Sequence, residues 1–175
     1  MKKFDIKRII GTIIGVVIVL AVLFVTDGKA EKELIGTWAY SYTTEYVEGL
    51  DVELTEYFEV TEGRYRWYMD REETKASLLK AYDEYFKSEE ITEEDVIESG
   101  YKSIEDCKAQ WLEEDLKNIV DDYNEDPGAG TWKIYRGTFL FIEDGTSREY
   151  KTDYRIEEGN TLYLQTDGLI LTKVK

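Results

Sequence analysis

Three oxygen-bearing side chains, Asp122, Asn124 and Asp126, have the spacing of positions 1, 3 and 5 in an EF-hand calcium loop. Such a loop also needs glycine at its sixth position and glutamate at its twelfth. This chain has Pro127 and Lys133 at those two positions. We therefore predict no metal site and interpret the three residues as the end of a charged helix.

Acid–base and nucleophilic chemistry lack most of their usual residues. The 175-residue chain contains no histidine, which excludes histidine bases, histidine metal ligands and Ser-His-Asp triads. The one cysteine, Cys107, falls among apolar helix positions, which favours a buried and inert thiol. Asp and Glu are plentiful, 38 against 22 Lys and Arg, so a carboxylate-based hydrolase stays open as an alternative. We predict no enzyme activity and no cofactor.

Aromatic side chains are abundant, with 14 Tyr, 6 Phe and 4 Trp. Many of them alternate with polar residues, which is typical of strands with one buried face. Six are expected to line the interior of a barrel: Tyr40, Tyr42, Tyr65, Trp67, Tyr150 and Tyr154. Such a lining could hold an apolar or sugar-like ligand, or the rings could simply fill the interior. The sequence leaves both alternatives open.

The charge of the chain restricts its partners. A net charge of −16 repels phosphate backbones, so nucleic acid is excluded as a partner. Residues 70–126 hold 20 acidic and 7 basic residues, a net charge of −13. This stretch is either a solvated surface that keeps the protein soluble or a contact surface for a protein partner.

Eight short runs have strand character, three before residue 70 and five after residue 129. Within 148–157, apolar or small side chains alternate with charged ones, as in a half-buried antiparallel strand. Pairs such as Asp144-Gly145 and Gly159-Asn160 separate the later runs and favour tight hairpin turns. Closing eight antiparallel strands into a barrel hides their edges, so a mainly β fold with a barrel is predicted.

The stretch between the third and fourth runs changes to a helical period. From Asp70 to Ser88 apolar residues recur at i, i+4, i+7 and i+8. Thr92 and Ser103 have the features of N-caps for two further helices. We therefore predict a two- to three-helix insertion between strands 3 and 4, at about residues 70–126 of a barrel domain that covers 31–175.

The beginning of the chain is apolar. Residues 9–25 carry no charge and follow four basic residues, which predicts a membrane anchor within residues 1–30, with the N-terminus cytoplasmic and the C-terminal domain outside. The alternative is a signal peptide cleaved after Ala30, which would release a secreted protein.

Two short motifs resemble those of lipocalins and of the small lipocalin-like domains of bacterial extracytoplasmic proteins. Gly36-Thr37-Trp38 is similar to the Gly-x-Trp signature on the first strand, and Thr152-Asp153-Tyr154 resembles the Thr-Asp-Tyr triplet. The third signature is an arginine near the last strand, where this chain has Lys173. The resemblance implies an eight-stranded barrel in which Gly36 and Trp38 are structural and Trp38 closes one end. A second Gly-Thr-Trp, ending at Trp132, is interpreted as a strand start whose Trp packs in the core.

Three functions follow from these observations. The leading one is a non-enzymatic, membrane-anchored, extracytoplasmic binding or interaction module that uses the acidic helical insertion. The first alternative is a carrier that holds a small apolar or sugar-like ligand in the barrel, and the second is a carboxylate-based hydrolase. An open apolar cavity above about 300 Å³ would favour the carrier.

Overall fold

Eight antiparallel strands in sequential order form a closed barrel in the computed structural model, which describes residues 27–47 and 49–175. The strands are β1 (Gly36–Val47), β2 (Leu50–Thr61), β3 (Arg64–Met69), β4 (Ala129–Tyr135), β5 (Thr138–Glu143), β6 (Glu149–Glu157), β7 (Thr161–Leu164) and β8 (Leu169–Lys173). β8 returns to β1 and pairs with it at Trp38 and Ala39. The predicted eight-stranded antiparallel barrel is confirmed.

Helices lie between β3 and β4, as predicted. They are α2 (Arg71–Ser88), α3 (Glu93–Glu98), α4 (Ile104–Leu116), a π-helical turn (Lys117–Asp121) and α5 (Asp122–Glu125); together with their connections they form the insertion. The side chains of Asp70, Thr92 and Ser103 accept backbone N–H groups at the starts of α2, α3 and α4. The π-helical turn lies directly between α4 and α5.

The insertion covers the inner face of a long hairpin. β1 and β2 pair from Gly36 to Val47, whereas β8 reaches only the first part of β1. Leu50, Val52 and Leu54 therefore extend beyond the barrel, and they pack against Leu78 of α2 and Val120 of the π-helical turn. The insertion thus completes one side of the barrel end that we call the mouth, where the β5–β6 and β7–β8 turns also lie.

Helical residues lie at the opposite end, the base, where the β2–β3, β4–β5 and β6–β7 turns meet. Residues 27–34 are helical and are called α1 here, and Ala30 and Leu34 pack against the barrel core. The Arg136 backbone N–H donates to Asp27 Oδ2 at 3.2 Å. The predicted domain boundary at residue 31 falls inside α1.

Trp38 anchors α1 to the base. The Trp38 side chain is fully buried, and its indole Nε1–H donates to the Leu34 carbonyl oxygen at 2.8 Å. Lys173 Nζ lies 4.9 Å from the Trp38 ring centroid and donates to the Glu33 carbonyl oxygen. These contacts satisfy two carbonyls at the end of α1, where a helix leaves its last C=O groups unpaired.

Gly36 is required by the backbone of β1. Its φ of +145° lies in a region that other residues rarely adopt, and an added Cβ would lie 2.4 Å from the Lys175 carbonyl oxygen. The glycine therefore lets the end of the chain lie against the start of β1, two residues before Trp38.

The predicted membrane segment, residues 9–25, lies outside the described residues. Among residues 27–47 and 49–175, the structure contains no helix with the length and apolar character needed to cross a membrane.

Candidate functional site

A cavity of about 370 Å³ opens at the mouth of the barrel. Its lining comes from β2, β3, β5, β7, β8 and the insertion, and consists of Glu56, Phe58, Tyr65, Trp67, Tyr123, Gly128, Phe139, Phe141, Leu164, Asp167 and Leu169. The volume is in the range of small-molecule binding sites, which begins at about 300 Å³. The barrel is therefore filled by side chains near its base and hollow near its mouth.

The walls of the cavity are mostly aromatic rings that hold each other in place. Phe58 and Trp67 are stacked with ring centroids 4.6 Å apart. Phe139 packs edge-on against Phe58 at 6.1 Å, and Tyr65 packs edge-on against Phe141 at 5.5 Å. Stacked and edge-on pairs are the favoured geometries for such rings. The walls are therefore fixed by their own packing before any ligand enters.

Glu56 is the one charged residue at an inward position of β2. The inward neighbours Leu54 and Phe58 are buried, whereas Glu56 is half-buried and lines the cavity. The Tyr42 hydroxyl donates to Glu56 Oε1 at 2.9 Å, and the Tyr123 hydroxyl donates to Glu56 Oε2 at 3.0 Å. One carboxylate is thus held between β1 and α5 at the mouth.

The two phenols that hold Glu56 stay protonated near neutral pH. Burial, reinforced by the hydrogen bond to Glu56, raises the pKa of Tyr42 to about 12. Burial and the Glu56 charge also raise the pKa of Tyr123. Both hydroxyls are therefore donors, and Glu56 is presented as an acceptor with a fixed orientation.

A second carboxylate ties the insertion to the barrel. Asp115 of α4 accepts from the Tyr46 hydroxyl of β1 at 2.9 Å and from the Tyr82 hydroxyl of α2. Asn124 pairs with the Met69 backbone, accepting from its N–H and donating to its carbonyl oxygen, each at 3.0 Å. These contacts place α5, and with it Tyr123, beside the cavity.

The three residues with EF-hand spacing have different surroundings in the structure. Asn124 is engaged with the backbone of β3, while Asp122 and Asp126 are exposed. Within the described part of the chain, no group of three or more Cys, Asp or Glu side chains could hold a metal ion.

Of the six aromatic residues predicted to line the interior, Tyr65 and Trp67 line the cavity. Tyr42 lies next to the lining, because its hydroxyl holds Glu56. Tyr40 is stacked on Tyr42 with ring centroids 5.4 Å apart. The β1 pair thus supports the mouth from one side.

Tyr150 and Tyr154 support the opposite wall from β6. Tyr150 is stacked on Phe141 at 5.4 Å, and Tyr154 packs edge-on against Phe139 at 6.3 Å. Both residues therefore pack behind the lining and do not belong to it, since the rings that face the cavity come from β5.

Sequence reasoning missed several lining residues, including Glu56, Tyr123, Phe139, Phe141 and Asp167. One signal for Glu56 was available, namely a single acidic residue at an inward position between apolar ones. Tyr123 carried no such signal, because its place depends on how the insertion folds back onto β3.

The structure also shows the positions of the Cys107 thiol and of the carboxylates considered for catalysis. Cys107 is buried in the insertion, and burial raises the pKa of its thiol, which disfavours the reactive thiolate. The carboxylates that line the cavity are Glu56, which is half-buried, and Asp167, which is exposed in the β7–β8 turn.

Comparison with family models, with curated proteins and with solved structures gives no match for this chain.

Alkaline pH should weaken the Tyr42 contact to Glu56. The folded pKa of Tyr42, about 12, lies above the usual tyrosine value of about 10. Its contribution to stability is therefore complete below about pH 10 and is lost as pH rises toward 12. We expect the difference in free energy of unfolding between the wild-type protein and Tyr42→Phe to be constant from pH 7 to about 10 and to shrink above it. Urea denaturation at a series of pH values measures this difference, and a difference that disappears below pH 9 would contradict the assignment.

Proposed function

We propose that this protein binds a small, largely apolar ligand in the mouth of its barrel. The observation that carries the proposal is the aromatic-walled cavity of about 370 Å³. Its size and apolar lining are those of small-molecule sites, and Glu56 supplies the kind of single, positioned polar group that orients a ligand in them. The carrier is thus favoured over the other two functions.

We also propose that the barrel is lipocalin-like. Gly36 and Trp38 stand at the start of β1, and Lys173, on the last strand near which the lipocalin signature has an arginine, lies over the Trp38 ring. Lysine supplies a positive charge over the ring, although without the planar fork of arginine. This arrangement at the base supports the proposal.

Residues 9–25 are proposed to anchor the protein in a membrane, with the barrel on the outer side. α1 joins the barrel at its base, so a tether that precedes residue 27 would leave the mouth facing away from the bilayer. Cleavage after Ala30 would cut α1 and separate Asp27 from Arg136. An uncleaved anchor is therefore favoured over a secreted form.

A protein-interaction role for the insertion is the second candidate. Its helices carry most of the negative charge, and a cleft of about 450 Å³ runs between α2, α3 and α4, lined in part by Phe86, Val96, Tyr101 and Trp111. An apolar cleft on an acidic surface suits a basic segment with apolar side chains.

A mutation that fills the mouth tests the carrier function. Leu169 lines the cavity, whereas the next residue, Ile170, is 55% exposed on the outer face of β8. We expect the full chain to bind the neutral probe tert-butylbenzene with a 1:1 stoichiometry, and Leu169→Trp to weaken this binding about tenfold or more, because the indole would occupy the cavity.

Ile170→Trp is the matched control, since it adds the same ring one residue away on the opposite face. It should leave the dissociation constant unchanged in an NMR titration. Equal affinities of tert-butylbenzene for the wild-type protein and Leu169→Trp would contradict the proposed function.

A further inference from the structure

The cavity at the mouth carries negative charge, and the described residues that line it are acidic or uncharged. Its lining includes the carboxylates of Glu56 and Asp167 and contains no Lys or Arg. In the described part of the chain, no basic side chain lies within ion-pair distance of Glu56. A ligand that enters the mouth therefore meets a carboxylate that no basic side chain of the described residues neutralises.

The Glu56 carboxylate can accept further hydrogen bonds in addition to the two that it receives. A carboxylate has about four lone-pair sites, and the Tyr42 and Tyr123 hydroxyls each use one of them. The phenols are neutral donors, so they orient the Glu56 carboxylate without offsetting its negative charge. Glu56 is thus a preformed acceptor that faces a space large enough for a ligand.

The aromatic walls favour the same kind of ligand. Trp67, Phe58, Tyr65 and Phe139 lie on the inner side of the barrel around this space. The faces of such rings attract organic cations, most strongly where water is excluded. A neutral ligand would remove water from Glu56 without replacing it by a counter-charge, and an anion would be repelled.

From this juxtaposition we infer that the ligand is an organic cation, an amine or quaternary ammonium compound with an apolar body, whose charged group lies beside Glu56. The inference rests on the proposed binding function and specifies the chemical class of the ligand. The net charge of −16 would also attract such a ligand toward the protein at low ionic strength.

Two probes that differ in charge alone test the inference. Phenyltrimethylammonium and tert-butylbenzene have nearly the same shape, because carbon replaces the quaternary nitrogen in the neutral compound. We expect the full chain to bind the cation about tenfold more tightly than the neutral compound in NMR titrations. Glu56→Gln should reduce this preference to about twofold, mainly by weakening the binding of the cation.

Glu53→Gln is the matched control, since it removes the same charge from an exposed position on β2. It should keep the preference for the cation. Asp167→Asn, in an exposed turn, is a second test that does not disturb the Tyr42 and Tyr123 contacts, and it should lower the preference by about two- to threefold.

The outcomes separate the inference from the proposed function. Equal affinities of the wild-type protein for both probes would overturn the inference and leave small-ligand binding intact. A cation preference that survives both Glu56→Gln and Asp167→Asn would also overturn it. Binding of neither probe would contradict the inference and the proposed function together.

Discussion

Trp38→Ala is expected to lower the free energy of unfolding by about 3–5 kcal/mol. The Trp38 side chain is completely buried at the base, so its removal leaves a large cavity between α1 and the barrel. The Leu34 carbonyl oxygen also loses its donor. Since a domain of this size is stable by about 5–15 kcal/mol, a large part of the total would be lost.

Urea denaturation followed by circular dichroism measures the Trp38→Ala effect. Tyr135→Ala is the control, because Tyr135 is an aromatic residue near the same end of the barrel that is 53% exposed. It should change the free energy of unfolding by less than about 0.5 kcal/mol. A loss below about 1 kcal/mol for Trp38→Ala would contradict the role of Trp38 in closing the base.

Gly130→Ala should destabilise the barrel by about 3 kcal/mol. A Cβ on Gly130 would lie 2.0 Å from the Ile142 carbonyl oxygen and 2.9 Å from Glu143 Cα. Both atoms belong to the backbone of β5, so neither can move aside without breaking the pairing of β4 with β5. The φ of Gly130 is not in the left-handed region, so the expected loss reports the close approach of the strands.

Gly28→Ala provides the comparison for Gly130→Ala. Gly28 lies in α1, and a Cβ there would meet no atom within 4 Å. Alanine is a better helix former than glycine, so this variant should be unchanged or more stable by up to about 1 kcal/mol. Thermal or urea unfolding of the two variants side by side decides the matter, and equal stabilities would show that the close contact at Gly130 is not essential.

The strands and helices could be predicted because each has a local pattern. β3 has such a pattern, since Tyr65 and Met69 alternate with outward residues between a Glu-Gly turn and an N-cap. α1 was missed, because its burial depends on Trp38 and on the distant Lys173, which no local pattern reports. The requirement for glycine at position 130 comes from the backbone of β5, which the local sequence does not report.

The candidate site was harder to predict than the fold. Tyr65 and Trp67 were found from the alternation of β3, but the cavity also depends on Tyr123, which reaches Glu56 from 67 residues away along the chain. Alternation alone could not tell a filled barrel from a hollow one, because both place rings inside. Whether an end of the barrel is closed or open depends on how α1 and the insertion pack against the strands, and the alternation of residues does not report this packing.

The most direct test of ligand binding at the mouth is the measurement of intermolecular nuclear Overhauser effects between bound tert-butylbenzene and the full chain. Binding in the cavity predicts contacts from the tert-butyl protons to the rings of Phe58, Trp67 and Phe139. Contacts confined to Phe86 and Trp111 in the cleft of the insertion, or no contacts at saturating probe, would contradict the account.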